Sequence, residues 1–326
     1  LLKYANDYTH YINYDERLLP SDNQYLQQET YFSVAQKVML FRWWDMSLAY
    51  DFQYNHLRRE DLILESREEF FGRYSHWLSL ASAWNVQDYL RLQASVLMTQ
   101  VDKEAPRVTP GVFLSLRPWK RIDLSINAFY KQSYRYPTFN DLYYTDMGNA
   151  NLRPELARQH SVELAYRLQK KTVQNLLLSA SYYYNRVSDK IIAYPKGQQF
   201  RWTMLNLGVV KINGLDAKAD MSLSLPMRFV LRLRLNYTYQ TAIDVTNPSD
   251  TYYCNQIPYI PWHSGSAVVG LDYGSRRGDH YGLNYSFIYV GERYGQQESQ
   301  FIFCTHTISI SCIYIRRAPP LEALTL

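Results

Sequence analysis

Residues Phe229–Thr241 read F-V-L-R-L-R-L-N-Y-T-Y-Q-T. The odd positions are Phe229, Leu231, Leu233, Leu235, Tyr237 and Tyr239; the even ones are Val230, Arg232, Arg234, Asn236, Thr238 and Gln240. Successive side chains on a strand point to opposite faces. One face of this strand is therefore apolar and ends in aromatics, and the other is polar. The pattern recurs along the chain. Leu215–Leu225 sets Leu215, Ala217, Ala219, Met221 and Leu223 against Asp216, Lys218, Asp220, Ser222 and Ser224. Ile122–Tyr130 and Leu90–Met98 repeat it, and Leu176–Tyr184 and Ile308–Tyr314 are weaker copies. Segments of about ten alternating residues ringed by aromatics are the sequence signature of a transmembrane β-barrel.

Composition agrees. The 326 residues include 31 Tyr, 7 Trp and 13 Phe, an aromatic load that girdles at two membrane interfaces would use. No run of about eighteen apolar residues exists, so no transmembrane helix is expected, which leaves a barrel open because barrels carry their hydrophobicity in alternate positions. The net charge of +5 is spread over strands and turns rather than gathered in a patch, so nucleic acid is not an expected partner. The seven His are scattered without metal-ligand spacing, and no phosphate loop or nucleophile-elbow motif is present. Asp123, Ser125 and His160 can be imagined as a triad, but nothing in their spacing supports one. No enzyme activity, cofactor or metal is expected. Cys254, Cys304 and Cys312 are odd in number; Cys312 lies in an apolar row, and a Cys254–Cys304 disulfide is conceivable.

About fourteen strands are expected, near 4–14, 31–40, 45–57, 69–83, 89–102, 107–117, 121–131, 156–168, 175–187, 200–222, 229–241, 262–273, 280–291 and 304–316. Their connections alternate. Short ones fall at Arg42–Trp44, Asn85–Asp88, Pro118–Lys120, Gln169–Gln174, Pro226–Arg228 and Gly274–Asp279. The intervening ones, at Arg58–Glu68, Gln132–Glu155, Ser188–Gln199, Ala242–Pro261 and Glu292–Phe303, are longer, with Lys103–Pro106 a short exception. Up-and-down strands place every second connection on the same rim, and outer-membrane barrels put their long loops outside the cell.

Ser133–Glu155 reads SYRYPTFNDLYYTDMGNANLRPE. Ser133, Arg135, Pro137, Asp141, Leu142, Tyr143, Gly148, Asn149, Asn151, Leu152, Pro154 and Glu155 match, in order, a segment typical of TonB-dependent outer-membrane receptors. Asn206–Met221, with Gly214 and with Asp216 where Glu is usual, and Asn255–Tyr273 also resemble that family. The resemblance runs from about Tyr31 to Ile315. It implies an all-β, partial antiparallel up-and-down transmembrane barrel over 1–316, about fourteen of the strands of a 22-stranded transporter. By the family pattern a plug domain and further strands are missing, so the chain is expected to be a fragment or processed product; 317–326 are expected to be an atypical, unstructured tail. The residues have local roles of their own. Pro137 and Pro154 restrict φ in a long loop, Gly148-Asn149 can form a turn with positive φ, and Gly214 suggests a bend or a close backbone approach.

The function the resemblance implies is TonB-coupled uptake of a bulky scarce nutrient: a ferric siderophore, haem or cobalamin. Its partners would be outer-membrane lipid, a plug domain of the same receptor and, through that plug, the inner-membrane TonB complex. Flat rings and cations in the long loops suit a bulky, partly anionic metal-chelate or cobalamin-type ligand. These are Tyr134, Arg135, Tyr136, Tyr143 and Tyr144 in one loop, Tyr194, Arg201 and Trp202 in the next, and Tyr252, Tyr253 and Tyr259 in the third. The competing reading of such rings is an interface girdle with no ligand, and the motif itself can serve simply to shape the rim. A passive porin-like channel and a secreted Tyr-rich adhesin are the alternative functions.

Overall fold

The computed structural model describes residues 1–13, 21–63, 68–87, 89–145, 147–196, 201–276, 278–294 and 302–315. Fourteen strands form one antiparallel sheet in which every strand pairs with its sequence neighbours. They are β1 (Leu2–Asn13), β2 (Ser21–Phe41), β3 (Trp44–Asp61), β4 (Glu69–Val86), β5 (Leu90–Val101), β6 (Arg107–Leu116), β7 (Asp123–Arg135), β8 (Glu155–Leu168), β9 (Val173–Lys196), β10 (Arg201–Ser224), β11 (Phe229–Asp244), β12 (His263–Gly274), β13 (His280–Tyr294) and β14 (Ile302–Ile315). One short helix, α1 (Phe139–Tyr143), lies between β7 and β8. The sheet is an up-and-down meander with β1 and β14 at its edges, a barrel wall that does not close on itself. The tail 317–326 lies outside the described residues.

The expected strands are all present, but several are longer than the alternation suggested. Ser188–Gln199 was expected to be a loop; instead β9 runs on to Lys196 and pairs with β10 from Arg201. β2 likewise begins at Ser21, where it pairs with Asn13 of β1. Only about ten residues of a tilted strand are needed to cross the apolar band. The 24 residues of β9 and of β10 therefore carry their hairpin well beyond it. Outside the bilayer neither row must be apolar, so the alternation fades while the backbone ladder continues. The short rim is closed tightly. Arg42 and Trp43 alone connect β2 to β3, with Phe41 and Trp43 stacked at 5.5 Å.

Register shows which rows face inward. Asp216 pairs across from Thr238, Asp220 from Arg234 and Ser222 from Arg232, so the polar residues of β10 and β11 share one face. On that face Arg234 bonds Asp220 at 2.9 Å, Thr238 donates to Asp216 at 2.7 Å, and Arg232 pairs with Asp272 of β12. The opposite face carries Leu215, Leu235, Leu283 and Ile310, which are 43%, 39%, 49% and 68% exposed. Apolar rows left this open suit hydrocarbon, not a dry centre. The small apolar clusters that are buried, such as Tyr25–Leu57–Phe139 and Val210–Ala242–Ile257, gather residues from the outer ends of strands and the loops over them.

This orientation has a direct test. With Cys254, Cys304 and Cys312 replaced by Ser, Asp216→Cys and Arg232→Cys in the membrane-inserted protein are expected to react with a water-soluble maleimide. Leu215→Cys and Leu233→Cys should stay unmodified. Equal labelling of all four would reverse the assignment.

Two further expectations are settled by position. Cys254 is a free, exposed thiol, so the conceivable Cys254–Cys304 bridge is not formed; Cys312 is also free. Ser125 lies in the inward row and donates to the Ala165 carbonyl. His160 lies in the outward row opposite Tyr130, so the imagined triad is split between the two faces of the wall.

Candidate functional site

The site is the outer mouth of the wall, and the segment between β7 and β8 organises it. Thr138 caps α1 with a capping box. Its Oγ1 accepts from the Asp141 N–H at 3.1 Å while Asp141 Oδ2 accepts from the Thr138 N–H at 2.8 Å. Asp141 also receives Arg135 at 3.0 Å. The other arm of Arg135 donates to Glu155 at 3.0 Å. Glu155 is buried, and the same oxygen accepts from Lys190 Nζ at 3.2 Å and from the Ile191 N–H at 2.6 Å. One carboxylate thus ties together the end of β7, the start of β8 and the outer part of β9.

The segment then grips both flanks of the wall. Towards β2–β4, the Tyr25 hydroxyl donates to Thr145 Oγ1 at 2.8 Å and accepts the Thr145 N–H at 2.9 Å. Tyr25 stacks on Tyr144 at 4.7 Å and Phe71 on Tyr143 at 3.7 Å. Arg59 donates to the Tyr143 carbonyl at 2.7 Å and Arg73 to that of Pro137 at 2.6 Å. Towards β9–β10, Asn149 donates to the Met204 carbonyl at 3.0 Å and the Met204 N–H to the Met147 carbonyl at 2.8 Å. Asn206 accepts from the Arg153 N–H and donates to the carbonyls of Arg153 and Asp189. Leu142 and Leu152 pack on Ile191. Strands β2 and β10 are eight steps apart in the sheet. That separation is roughly 38 Å along the wall at the usual strand spacing. Thr145 and Met147, two residues apart, touch one of them each. The wall must therefore be rolled, and the segment lies across its concave, polar side.

Gly148 is required sterically. A Cβ there would stand 2.7 Å from the carbonyl of Leu142 and from the backbone of Tyr144. Positive φ, the reason expected, does not occur at Gly148 or Asn149. Asn149 instead caps locally, its side chain accepting the Asn151 N–H at 3.0 Å. At Gly214 the close approach is made by a side chain rather than by backbone: the Tyr183 ring lies over it, and the Tyr183 hydroxyl donates to Gln240 Oε1 at 3.2 Å.

The expected ligand residues divide accordingly. Arg135 is engaged by two carboxylates, and Tyr143 and Tyr144 are stacked into the wall contacts, so these three hold the segment in place. Pro137, Leu142 and Leu152 are buried in the same segment, and Pro154 leads into Glu155. Tyr134 and Tyr136 line a cavity of about 320 Å³ beneath α1, with Gln27, Asn55 and Arg73. Burial, with the Glu104 carboxylate adding to it, pushes the Tyr136 phenol up to about 12. Trp202, which lies on β10 rather than in a loop, meets Tyr259 of the β11–β12 connection at 5.6 Å, and Tyr259 and Tyr253 are exposed. Tyr194 lies on β9 rather than in a loop, and Tyr252 is half-buried in the β11–β12 connection. Arg201 begins β10, and its side chain lies outside the described residues.

Tyr25, Arg59, Arg73 and Lys190 were not expected to take part. Each lies in a strand with nothing local to mark it; the rolled wall brings Tyr25, Arg59 and Arg73 to the segment, whereas Lys190 reaches Glu155 from the neighbouring strand. Asn206 did carry a signal, as the first residue of the Asn206–Met221 stretch.

Residues 2–310 match the model of the TonB dependent receptor-like β-barrel. Over 86 residues the chain is 37% identical to the vitamin B12 transporter BtuB of Vibrio vulnificus, covering 26% of this chain and 13% of that protein. Over 107 residues it is 30% identical to the vitamin B12 transporter BtuB of Photobacterium profundum, covering 31% and 16%. Among solved structures, the copper transporter OprC superposes with a TM-score of 0.69 at 15% identity, over 95% of this chain and 52% of that one. The siderophore receptor PirA from Acinetobacter baumannii gives 0.61 at 11% identity, over 90% and 48%. The chain thus spans about half the length of these solved structures, and its matches cover a small part of the B12 transporters. With the rolled fourteen-strand meander, the segment stapled across its mouth and a family match over nearly its whole length, the chain belongs to the TonB-dependent receptor β-barrel family.

Proposed function

We propose that the chain is barrel wall of an outer-membrane receptor that takes up a bulky scarce nutrient, a ferric siderophore, haem or cobalamin, with uptake coupled to the inner-membrane TonB complex through a plug domain. The observation that carries this reading is the mouth itself. A long segment is fixed across the polar inner face, and Tyr253 and Tyr259 in the β11–β12 connection are left exposed, with Trp202 half-buried against Tyr259. Rigid aromatics at a held mouth suit a large ligand with apolar faces and partial charge. The short stretches shared with vitamin B12 transporters favour a corrinoid among the candidates.

The test is made on the whole receptor containing this chain. Binding of cyanocobalamin and of ferric chelates is measured on cells and on purified protein, with and without the TonB complex. Trp202→Ala combined with Tyr259→Ala is expected to weaken binding of the true ligand about tenfold to a hundredfold, at about 1 kcal/mol or more for each ring. Uptake that continues undiminished without the TonB complex would instead indicate passive diffusion and sink the receptor reading.

A further inference from the structure

Several cations on the inner wall and in the stapled segment are matched with acids: Arg135 with Asp141 and Glu155, Lys190 with Glu155, Arg153 with Asp189, Arg232 with Asp272 and Arg234 with Asp220. Among the described residues of the outward face, three cations stand side by side with no acid next to them. Arg158 of β8 lies directly across from Arg186 of β9, and Arg186 directly across from Lys211 of β10. All three fall in the row opposite to Glu155, Gln159 and Tyr183, on the side of Val162, Leu164 and Leu215. Their outward neighbours Gln132, Leu156, Ser188, Val209, Thr241 and Ile243 include no carboxylate. Like charges placed directly opposite on a sheet repel. Three in a row on adjacent strands are tolerated where an anion from outside the chain neutralises them.

What lies below the row says where that anion comes from. The next outward residues on β7, β8 and β9 are rings, with Asn213 beside them on β10: His160 stands 4.9 Å from Tyr130 and 6.0 Å from Tyr184. Such rings belong at headgroup level in a barrel girdle. Further down the same strands the outward row shrinks to Ala180, Ala217 and Ala219. There a groove of about 510 Å³ opens, walled by Leu164, Leu178 and Leu235. Cations, then rings, then an apolar trough occupy one column on β8–β10. The trough is in the band that meets hydrocarbon, and the cations stand above the girdle.

We propose that this column binds a phosphate-bearing lipid of the outer leaflet, its phosphate held by Arg158, Arg186 and Lys211 and an acyl chain lying in the alanine-floored groove. The assignment of the leaflet rests on the outer-membrane reading; binding itself is measured on purified protein and stands or falls independently of transport.

The experiment uses the protein in a zwitterionic detergent. Native mass spectrometry measures retention of an added bisphosphorylated glycolipid and of phosphatidylcholine, with inorganic pyrophosphate as competitor. The wild type should retain the bisphosphorylated lipid at least tenfold better than phosphatidylcholine, and pyrophosphate should not displace it. At about fivefold for each cation near an anionic lipid surface, R158Q/R186Q/K211Q should lower retention about a hundredfold, while R158K/R186K keeps it. Ala217→Phe, which fills the groove and leaves the charges, should weaken retention severalfold. Folding of each variant is read from its heat-modifiable gel migration; should the triple variant fail to fold, R186Q alone should show the fivefold loss. Unchanged retention in a folded charge variant or in Ala217→Phe overturns the proposal. So does full displacement by pyrophosphate, which would make the site one for free phosphate.

Discussion

Tyr25→Ala is expected to destabilise the folded barrel by about 3–5 kcal/mol, the range for removing a buried aromatic ring. Tyr25 is 6% exposed, packs with Leu57 and Phe139, and stacks on Tyr144. Its hydroxyl also holds both the N–H and the side chain of Thr145. Tyr25→Phe keeps the ring and loses the hydroxyl, at a cost of about 1–2 kcal/mol, because the Thr145 N–H then lacks its acceptor. Urea unfolding in micelles measures both. Limited proteolysis gives the second readout: the 136–154 segment should become cleavable in Tyr25→Ala well before the strands do. A Tyr25→Ala protein with wild-type stability and an uncleaved segment would show that the β2 side of the staple contributes nothing to holding the segment.

Glu155→Ala should cost about 2–4 kcal/mol. Breaking a buried pair by removing one partner strands the other, at about 3–5 kcal/mol. Arg135 is 44% exposed on its side chain, so water takes up part of that charge and the figure is lowered. The Ile191 N–H adds an unsatisfied donor. Glu155→Gln should be milder, since an amide oxygen can still accept from Ile191 but no longer neutralises Arg135 and Lys190. The distinguishing measurement is a double-mutant cycle with Arg135→Ala. The two residues touch, so their effects should fall short of additivity by about 0.5–3 kcal/mol. Full additivity would mean that the Arg135–Glu155 pair has no part in fixing the loop.

Both variants act where the expectations were least complete. The motif residues from Ser133 to Glu155 were visible in the chain, though Asn149 caps the Asn151 N–H rather than forming the positive-φ turn expected of it. Their partners were not. Tyr25 and Thr145 are separated by 120 residues, and no periodicity links them. Arg135 looked like a cation free for a ligand because its two acids, Asp141 and Glu155, lie on either side of a turn whose geometry the sequence does not state. Tyr143 and Tyr144 looked like ligand platforms for the same reason: a Tyr facing a ligand and a Tyr stacked on Phe71 have the same local sequence. Trp202 and Tyr259 were each noticed alone, and the start of β10 and the β11–β12 connection bring them together.

What the chain determined by itself is the wall. Alternation with a period of two is a local property of a strand, and the choice of lipid or lumen for each row follows from it without knowledge of neighbours. The fourteen strands, their up-and-down order and the outward leucines were therefore legible. The tertiary structure decided everything that depends on which strand stands beside which and by how many residues it is offset. Register alone aligned Arg158, Arg186 and Lys211, and the roll of the wall alone brought β2 and β10 to one segment. Those contacts join residues far apart in sequence, and a local pattern carries no record of them.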